Sequence, residues 1–220
     1  MQVERKVKST SEWKWMKPIA IFGLLVVFVW SLFFVIGEKT FFYDGWIQGI
    51  VSIIATEGVR GFFELFTILG DKQGVIPILI ISLLLIWWRK KDYLGMSILT
   101  VGVIVVNELN KFIKDTTGRE RPMTGPGAES LSFPSGHAMV GLFFYGLLTY
   151  LIVQYTKGKI SSFVIVTIGA LFIFLLGFSR LILNYHYPSD VIAGYAAGAL
   201  CLLAAITIYH SLQTKFTKDK

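Results

Sequence analysis

The chain has 220 residues, 54% of them hydrophobic and 16% charged, with a mean hydropathy of +0.64 and a formal net charge of +7. Soluble domains carry roughly 25% charged residues, so this composition argues against an ordinary water-soluble fold and for a membrane protein. The length suits one domain, and the single cysteine, Cys201 in the apolar run ALCLLAAI, excludes a disulfide framework and a cysteine metal site.

Residues 1–17 form a basic tail, and Ile19–Ile36 follows as an unbroken apolar run of 18 residues, about the length needed to cross the hydrocarbon core. The run is too long for a signal peptide and no small-x-small cleavage site follows it, so it predicts a retained membrane helix. The segment 38–73 is different. Between Asp44 and Gly70 it mixes apolar residues with Glu57, Arg60 and Glu64, which predicts an amphipathic helix lying in the interface or entering the bundle partway. Further spans are predicted at Gly74–Trp88, which is short and contains Pro77, then at Leu94–Phe112, Gly136–Tyr155, Ser161–Leu183 and Val191–Tyr209. The expected fold is therefore all-α, a polytopic bundle of six transmembrane helices forming a single domain over 1–220.

Six spans alternate the loops between two sides. Thirteen Lys and Arg residues fall on the side that holds both termini, including Arg89, Lys90 and Lys91, against eight on the other. The positive-inside rule makes the first side cytoplasmic, so the net charge is chiefly a topology signal and not the footprint of nucleic acid. Trp13, Trp15, Trp87, Trp88, Tyr93 and Tyr209 sit near span ends and read as interface anchors. His210, at the cytoplasmic end of the last span, reads as structural.

The long polar loop is Asp115–Phe133, with Gly118, Pro122, Gly125, Pro126 and Gly127 in it and Pro134 beside it, and long ordered loops in compact folds tend to be functional. Three segments with chemistry lie on the outer side by topology alone. Lys114-Asp-Thr-Thr-Gly-Arg-Glu-Arg121-Pro122 ends the third span, Pro134-Ser135-Gly136-His137 opens the fourth, and Ser179-Arg180 through His186-Tyr-Pro-Ser-Asp190 joins the fifth to the sixth. These residues suit a phosphate dianion. Lys114, Arg121 and Arg180 are fixed cations, and the arginines can fork onto two phosphate oxygens. Ser135 is a natural N-cap, and the free amides of Gly136 and His137 at a helix start favour an anion, with glycine letting the backbone approach. His186 and Asp190 are four residues apart, with Pro188 near the first helical position of the sixth span. The aspartate can then accept from one imidazole nitrogen and leave the other facing phosphorus, as in nucleophilic catalysis. His137 remains to protonate the leaving oxygen, a role worth roughly 10²–10⁴ in rate. Arg119 and Glu120, between two motif positions, read first as solvated loop charges and second as substrate or salt-bridge groups. Asn107, Glu108 and Asn110, at the outer end of the third span, read as structurally paired.

These segments match the patterns K-x6-R-P, P-S-G-H and S-R-x5-H-x3-D at every signature position, and the chain so resembles the type 2 phosphatidic acid phosphatase superfamily. The resemblance covers the chain from Lys114 to Asp190. It implies that Lys114, Arg121, Ser135, Gly136 and Arg180 bind phosphate, that His186 forms a phosphohistidine, that Asp190 orients it, and that His137 is the general acid. It also implies a metal-independent enzyme with no cofactor and a lipid phosphate as substrate. Within the superfamily the compact chain looks like the bacterial phosphatidylglycerophosphate phosphatase group, which puts phosphatidylglycerol phosphate first among substrates, undecaprenyl diphosphate second and phosphatidic acid third. Vanadium haloperoxidases share the same core and residues but are soluble. A transporter would be expected to hold its ligand near the bilayer midplane, not at one surface. No protein partner is implied, and the expected location is the cell membrane with the site facing out.

Overall fold

The computed structural model describes residues 2–37, 41–122, 130–156, 158 and 160–218; Gly125, Pro126 and Gly127 of the long loop lie outside them. Eight α-helices follow one another in the described chain: α1 (Gln2–Ile36), α2 (Phe42–Ile54), α3 (Glu57–Thr67), α4 (Lys72–Arg89), α5 (Tyr93–Thr117), α6 (Gly136–Thr156), α7 (Ser162–Ile182) and α8 (Pro188–Lys218). A 3-10 turn, Ile68–Gly70, joins α3 to α4, and no strand occurs among the described residues.

Six of the helices are long and apolar enough to cross a membrane, and they coincide with the six predicted spans. The short span predicted at Gly74–Trp88 is an 18-residue helix that starts at Lys72 and carries Pro77 inside it. The chain between α1 and α4 departs from a single amphipathic helix. It folds as α2 and α3, with 13 and 11 residues, each too short to span a bilayer. Both expose large apolar side chains (Phe42, Trp46, Ile53, Phe62, Leu65) while burying Asp44, Val51, Phe63 and Thr67 against the rest of the molecule.

Half of the α6 span is buried, against about a fifth of α4 and α5, which makes α6 the central helix. Its Met139, Phe143, Phe144, Leu147 and Leu151 meet Leu99 and Val106 of α5, Leu176 of α7 and Ala197 and Ala205 of α8. Small residues set the closest approach. Gly194 and Gly198 of α8 stand one turn apart, and a Cβ on them would lie 2.7 Å from the Ser135 carbonyl oxygen and 2.5 Å from that of Met139. Backbone cannot yield there, so this small-xxx-small stripe lets α8 lie directly on the start of α6, as in other membrane helix pairs. The contact joins the first turn of α6, which carries His137, to the first turns of α8, which carry Asp190.

At the opposite end, Asp92 caps α5 by accepting from the Gly95 amide (2.9 Å) and from the Tyr155 and Tyr209 hydroxyls (both 2.7 Å), and His210 meets the Tyr150 hydroxyl at 2.6 Å. This polar knot locks α5, α6 and α8 together away from the motifs.

Candidate active site

Backbone punctuation brings the three motif segments to one end of the bundle. α5 stops because Gly118 takes the left-handed conformation (φ 61°) and returns its N–H to the Lys114 carbonyl at 2.9 Å, a turn that disfavours any side chain. The chain leaves through Arg119, and Ser132 N–H donates back to the Arg119 carbonyl (2.7 Å), which closes the base of the long loop. Asn110 of α5, buried, donates to the Pro134 carbonyl (3.2 Å), and Ser135 N–H donates to the Asp190 carbonyl (3.0 Å). The start of α6 is thereby clamped between α5 and the start of α8.

The predicted phosphate ligands converge there. The Lys114 ammonium donates to the Leu131 carbonyl, with Arg121 and Arg180 both within its electrostatic reach. Arg121 holds the Ser130 carbonyl (2.7 Å) and hydroxyl (2.6 Å). Arg180 is buried, lies 4.3 Å from the Tyr185 ring centroid and donates through Nη1 to the Thr67 hydroxyl (2.7 Å). Two buried polar atoms in this cluster, Arg180 Nε and Ser135 Oγ, have no protein partner. Buried polar groups are normally satisfied, so an unpaired guanidinium N–H and hydroxyl in a cluster of cations fit an oxyanion ligand. The free hydroxyl also corrects the reading of Ser135 as an N-cap, because its Oγ does not turn back to the helix. Gly136 completes the cradle; a Cβ on it would come within 3.2 Å of Asn110 Oδ1.

The two histidines are buried, His137 at 8% exposure and His186 at 1%. His137 Nε2 lies 3.0 Å from the Thr67 carbonyl, 3.4 Å from Arg180 Nη1 and 3.4 Å from Asp71 Oδ1. Its ring packs on the 3-10 turn so closely that a Cβ at Gly70 would fall 2.3 Å from Cδ2. Asp71 is half-buried and its carboxyl is raised above the usual carboxylate range by burial, with Arg180 and Arg121 pulling the other way. Burial also pushes His186 down to about 3, opposed by the nearby Asp190 carboxylate and reinforced by Arg180 and Arg121. At neutral pH that imidazole keeps a lone pair on one nitrogen, as a nucleophile requires.

The expected direct hydrogen bond from His186 to Asp190 is not made. Nδ1 stands 3.5 Å from Asp190 Oδ2, at the far limit for a hydrogen bond, and 3.2 Å from Ser132 Oγ, which itself donates to Asp190 Oδ2. Arg119 departs from the solvated-loop reading. Its guanidinium is largely buried, donating to Asp190 Oδ1 at 2.6 Å and Asp44 Oδ2 at 3.0 Å. Glu120 is exposed, while Glu108 pairs with Lys111 (2.6 Å) and accepts from Asn107 (3.0 Å) on the helix surface.

Among the described residues no group of three His, Cys, Asp or Glu is placed to hold a metal ion. A groove between α4 and α5, lined by Val75, Ile76, Val103, Ile104 and Val140, runs to Asp71, Gly136 and His137. A polar pocket lined by Thr67, Asp71, Arg121, Ser130, Arg180 and Tyr185 opens beside it.

Known proteins resemble the chain in sequence and in fold. A family model described as the PAP2 superfamily matches residues 93–214. The chain is 30% identical to phosphatidylglycerophosphatase B of Bacillus subtilis over 61% of its own length and 67% of that protein's. It is 28% identical to lipid A 4'-phosphatase of Bacteroides thetaiotaomicron over 50% of its own length and 51% of that protein's. In three dimensions it resembles the crystal structure of a transmembrane PAP2-type phosphatidylglycerolphosphate phosphatase from Bacillus subtilis, with a TM-score of 0.76, 22% identity and coverage of 86% of this chain and 96% of the other.

Proposed function

Since the chain belongs to the PAP2 superfamily and is a multi-pass membrane phosphatase, we propose that it hydrolyses a lipid phosphomonoester, phosphatidylglycerol phosphate first, through a phosphohistidine on His186. The observation that carries this reading is the pair of unpartnered buried atoms, Arg180 Nε and Ser135 Oγ, in the cluster that contains Lys114 and Arg121. The His186 lone pair forms the N–P bond as the P–O bond to the lipid breaks, and the electron pair departs on the lipid oxygen. His137 supplies that oxygen with a proton. Water then attacks phosphorus and returns a proton to His137, the N–P bond breaks, and phosphate leaves with both histidines restored. Lys114, Arg121, Arg180, Ser135 and Gly136 bind the phosphate oxygens and the charge that develops on them.

A lipid substrate is supported by the groove between α4 and α5, whose apolar walls lead from the lipid-facing surface to His137. Phosphatidylglycerol phosphate heads the ranking because of the 30% identity to a phosphatidylglycerophosphatase B. Undecaprenyl diphosphate is second and phosphatidic acid third. A panel of the three lipids in one detergent, compared by kcat/KM in excess EDTA, tests the substrate and the chemistry together. The expected result is greatest turnover on phosphatidylglycerol phosphate with no loss on chelation. Higher kcat/KM on either other lipid would replace the substrate, and activity lost to EDTA and restored by Mg²⁺ or Zn²⁺ would replace the mechanism.

The site is proposed to face outward, with both termini cytoplasmic, from the charge split between the two sides. In a background with Cys201 replaced, Glu120→Cys should react with an impermeant thiol reagent in intact cells and Lys90→Cys only after lysis. The reverse labelling pattern would turn the site toward the cytoplasm.

A further inference from the structure

Behind His186 lies a buried chain of side chains that the three motifs do not account for. Ser132, Asp190 and His186 are each exposed by 1% or less, and Asp44 by 4%. A serine hydroxyl has one proton, and that of Ser132 goes to Asp190 Oδ2, so what it offers Nδ1 at 3.2 Å is a lone pair. His186 Nδ1–H therefore donates to Ser132 and reaches Asp190 through it, leaving Nε2 as the nitrogen with the free lone pair. Asp190 Oδ1 is held by Arg119, whose other nitrogen is held by Asp44 on α2. Asp44 is fixed in turn by the amide and hydroxyl of Ser189, at 2.8 and 2.7 Å, immediately before Asp190. The Arg119 guanidinium lies over the Tyr187 ring, 4.1 Å from its centroid.

The charges in this chain are unequal in a useful way. A single arginine against Asp190 would cancel the aspartate and leave little for the imidazole. Asp44 cancels the arginine instead, so the cluster carries one net negative charge. That charge stands behind the ring that becomes cationic when Nε2 takes the phosphoryl group. Buried charges are costly unless paired, and removing one partner leaves the other exposed to that cost. We propose that Ser132 is the hydrogen-bonding partner of the His186 imidazole and that Asp44, acting through Arg119, is a positioning residue that keeps Asp190 aimed and its charge available to the phosphohistidine. Asp44 lies on α2, outside the region 93–214 matched by the superfamily, so the proposal extends the positioning shell beyond that region.

This rests on His186 as the nucleophile, and rapid-quench measurement of phosphoenzyme on the full chain in detergent separates the two ideas. With p-nitrophenyl phosphate, whose leaving group needs no proton, the burst rate reports attack by His186 and the burst amplitude counts folded sites. Ser132→Ala and Asp44→Asn should each slow the burst by about tenfold or more, with the substrate Kd read from the concentration dependence of the burst rate changed less than about twofold, while Ser132→Thr recovers most of the rate. Arg119→Lys, which keeps a cation but cannot span both carboxylates, reads the same arm if Asp44→Asn does not accumulate. A reduced amplitude at an unchanged rate would mean that these residues only stabilise the fold and would overturn the proposal. Absence of an acid-labile phosphoenzyme in the unaltered protein would instead remove the phosphohistidine reading on which it stands.

Discussion

His186→Ala is expected to abolish turnover of every substrate, whereas His137→Ala should damage only those whose leaving group needs a proton. On the proposed mechanism the first change removes the atom that would form the covalent bond. The second removes a proton donor whose value depends on the pKa of the departing oxygen. A lipid alkoxide is a poor leaving group, so loss of His137 should cost roughly 10²–10⁴ on a lipid monophosphate. p-Nitrophenolate leaves unaided and should be nearly spared, and a diphosphate should fall between. The geometry favours this division. His137 Nε2 already faces an oxygen acceptor, the Thr67 carbonyl at 3.0 Å, and stands 3.4 Å from Arg180. With Nδ1–H given to Ser132, as proposed, the lone pair of His186 falls on Nε2, the nitrogen turned away from that hydroxyl. Equal losses across the three substrates for His137→Ala would refute the general-acid role. A labelled phosphoenzyme that persists in His186→Ala would refute the nucleophile.

Much of the fold, and the gathering of the three motif segments at one end of it, is legible in the sequence for a physical reason. Membrane helices announce themselves by length and hydropathy, so the six spans follow from local composition. The motif residues come in short fixed spacings at span ends, and alternation of the loops then puts them on one side. What the sequence did not reveal arises from contacts across large separations. Asp44 sits 145 positions from the Ser189 it binds, in a stretch whose amphipathic pattern gave no cue that one carboxylate was buried. Arg119 follows the C-cap glycine of α5, where helical periodicity has ended and no rule tells an inward charge from a solvated one. Ser132 stands two residues before Pro134 in an irregular segment, so nothing local marked its hydroxyl as the group between Asp190 and His186. Thr67 and Asp71 flank a 3-10 turn that packs on His137, and their only sequence cue was polarity at the end of an interfacial segment. Gly70 carries the clearest retrospective signal, since a Cβ there would fall 2.3 Å from His137 Cδ2.

Arg180→Ala should rank next in severity to loss of His186, and its signature should be parallel loss of catalysis and of transition-state mimicry. The side chain is 6% exposed and fixed from two directions, by Thr67 at Nη1 and by the Tyr185 ring, while its Nε has no protein partner. It is thus oriented before substrate arrives, which is the condition for a donor to act on charge as it develops. Removing one preorganised donor of this kind costs roughly 10²–10³ in kcat, and here a full charge is removed with it. Arg180→Lys keeps the charge but loses the planar fork, so it should recover only part of the rate. Vanadate, which adopts the five-coordinate geometry of phosphorus in flight, supplies the discriminating readout. Across unaltered protein, Arg180→Lys and Arg180→Ala, vanadate affinity should fall in step with kcat/KM, because both report binding of the same charge distribution. If Arg180→Ala slowed turnover while vanadate bound as tightly as before, the guanidinium would be acting on the fold near Thr67, and Lys114 and Arg121 would have to carry the equatorial oxygens alone.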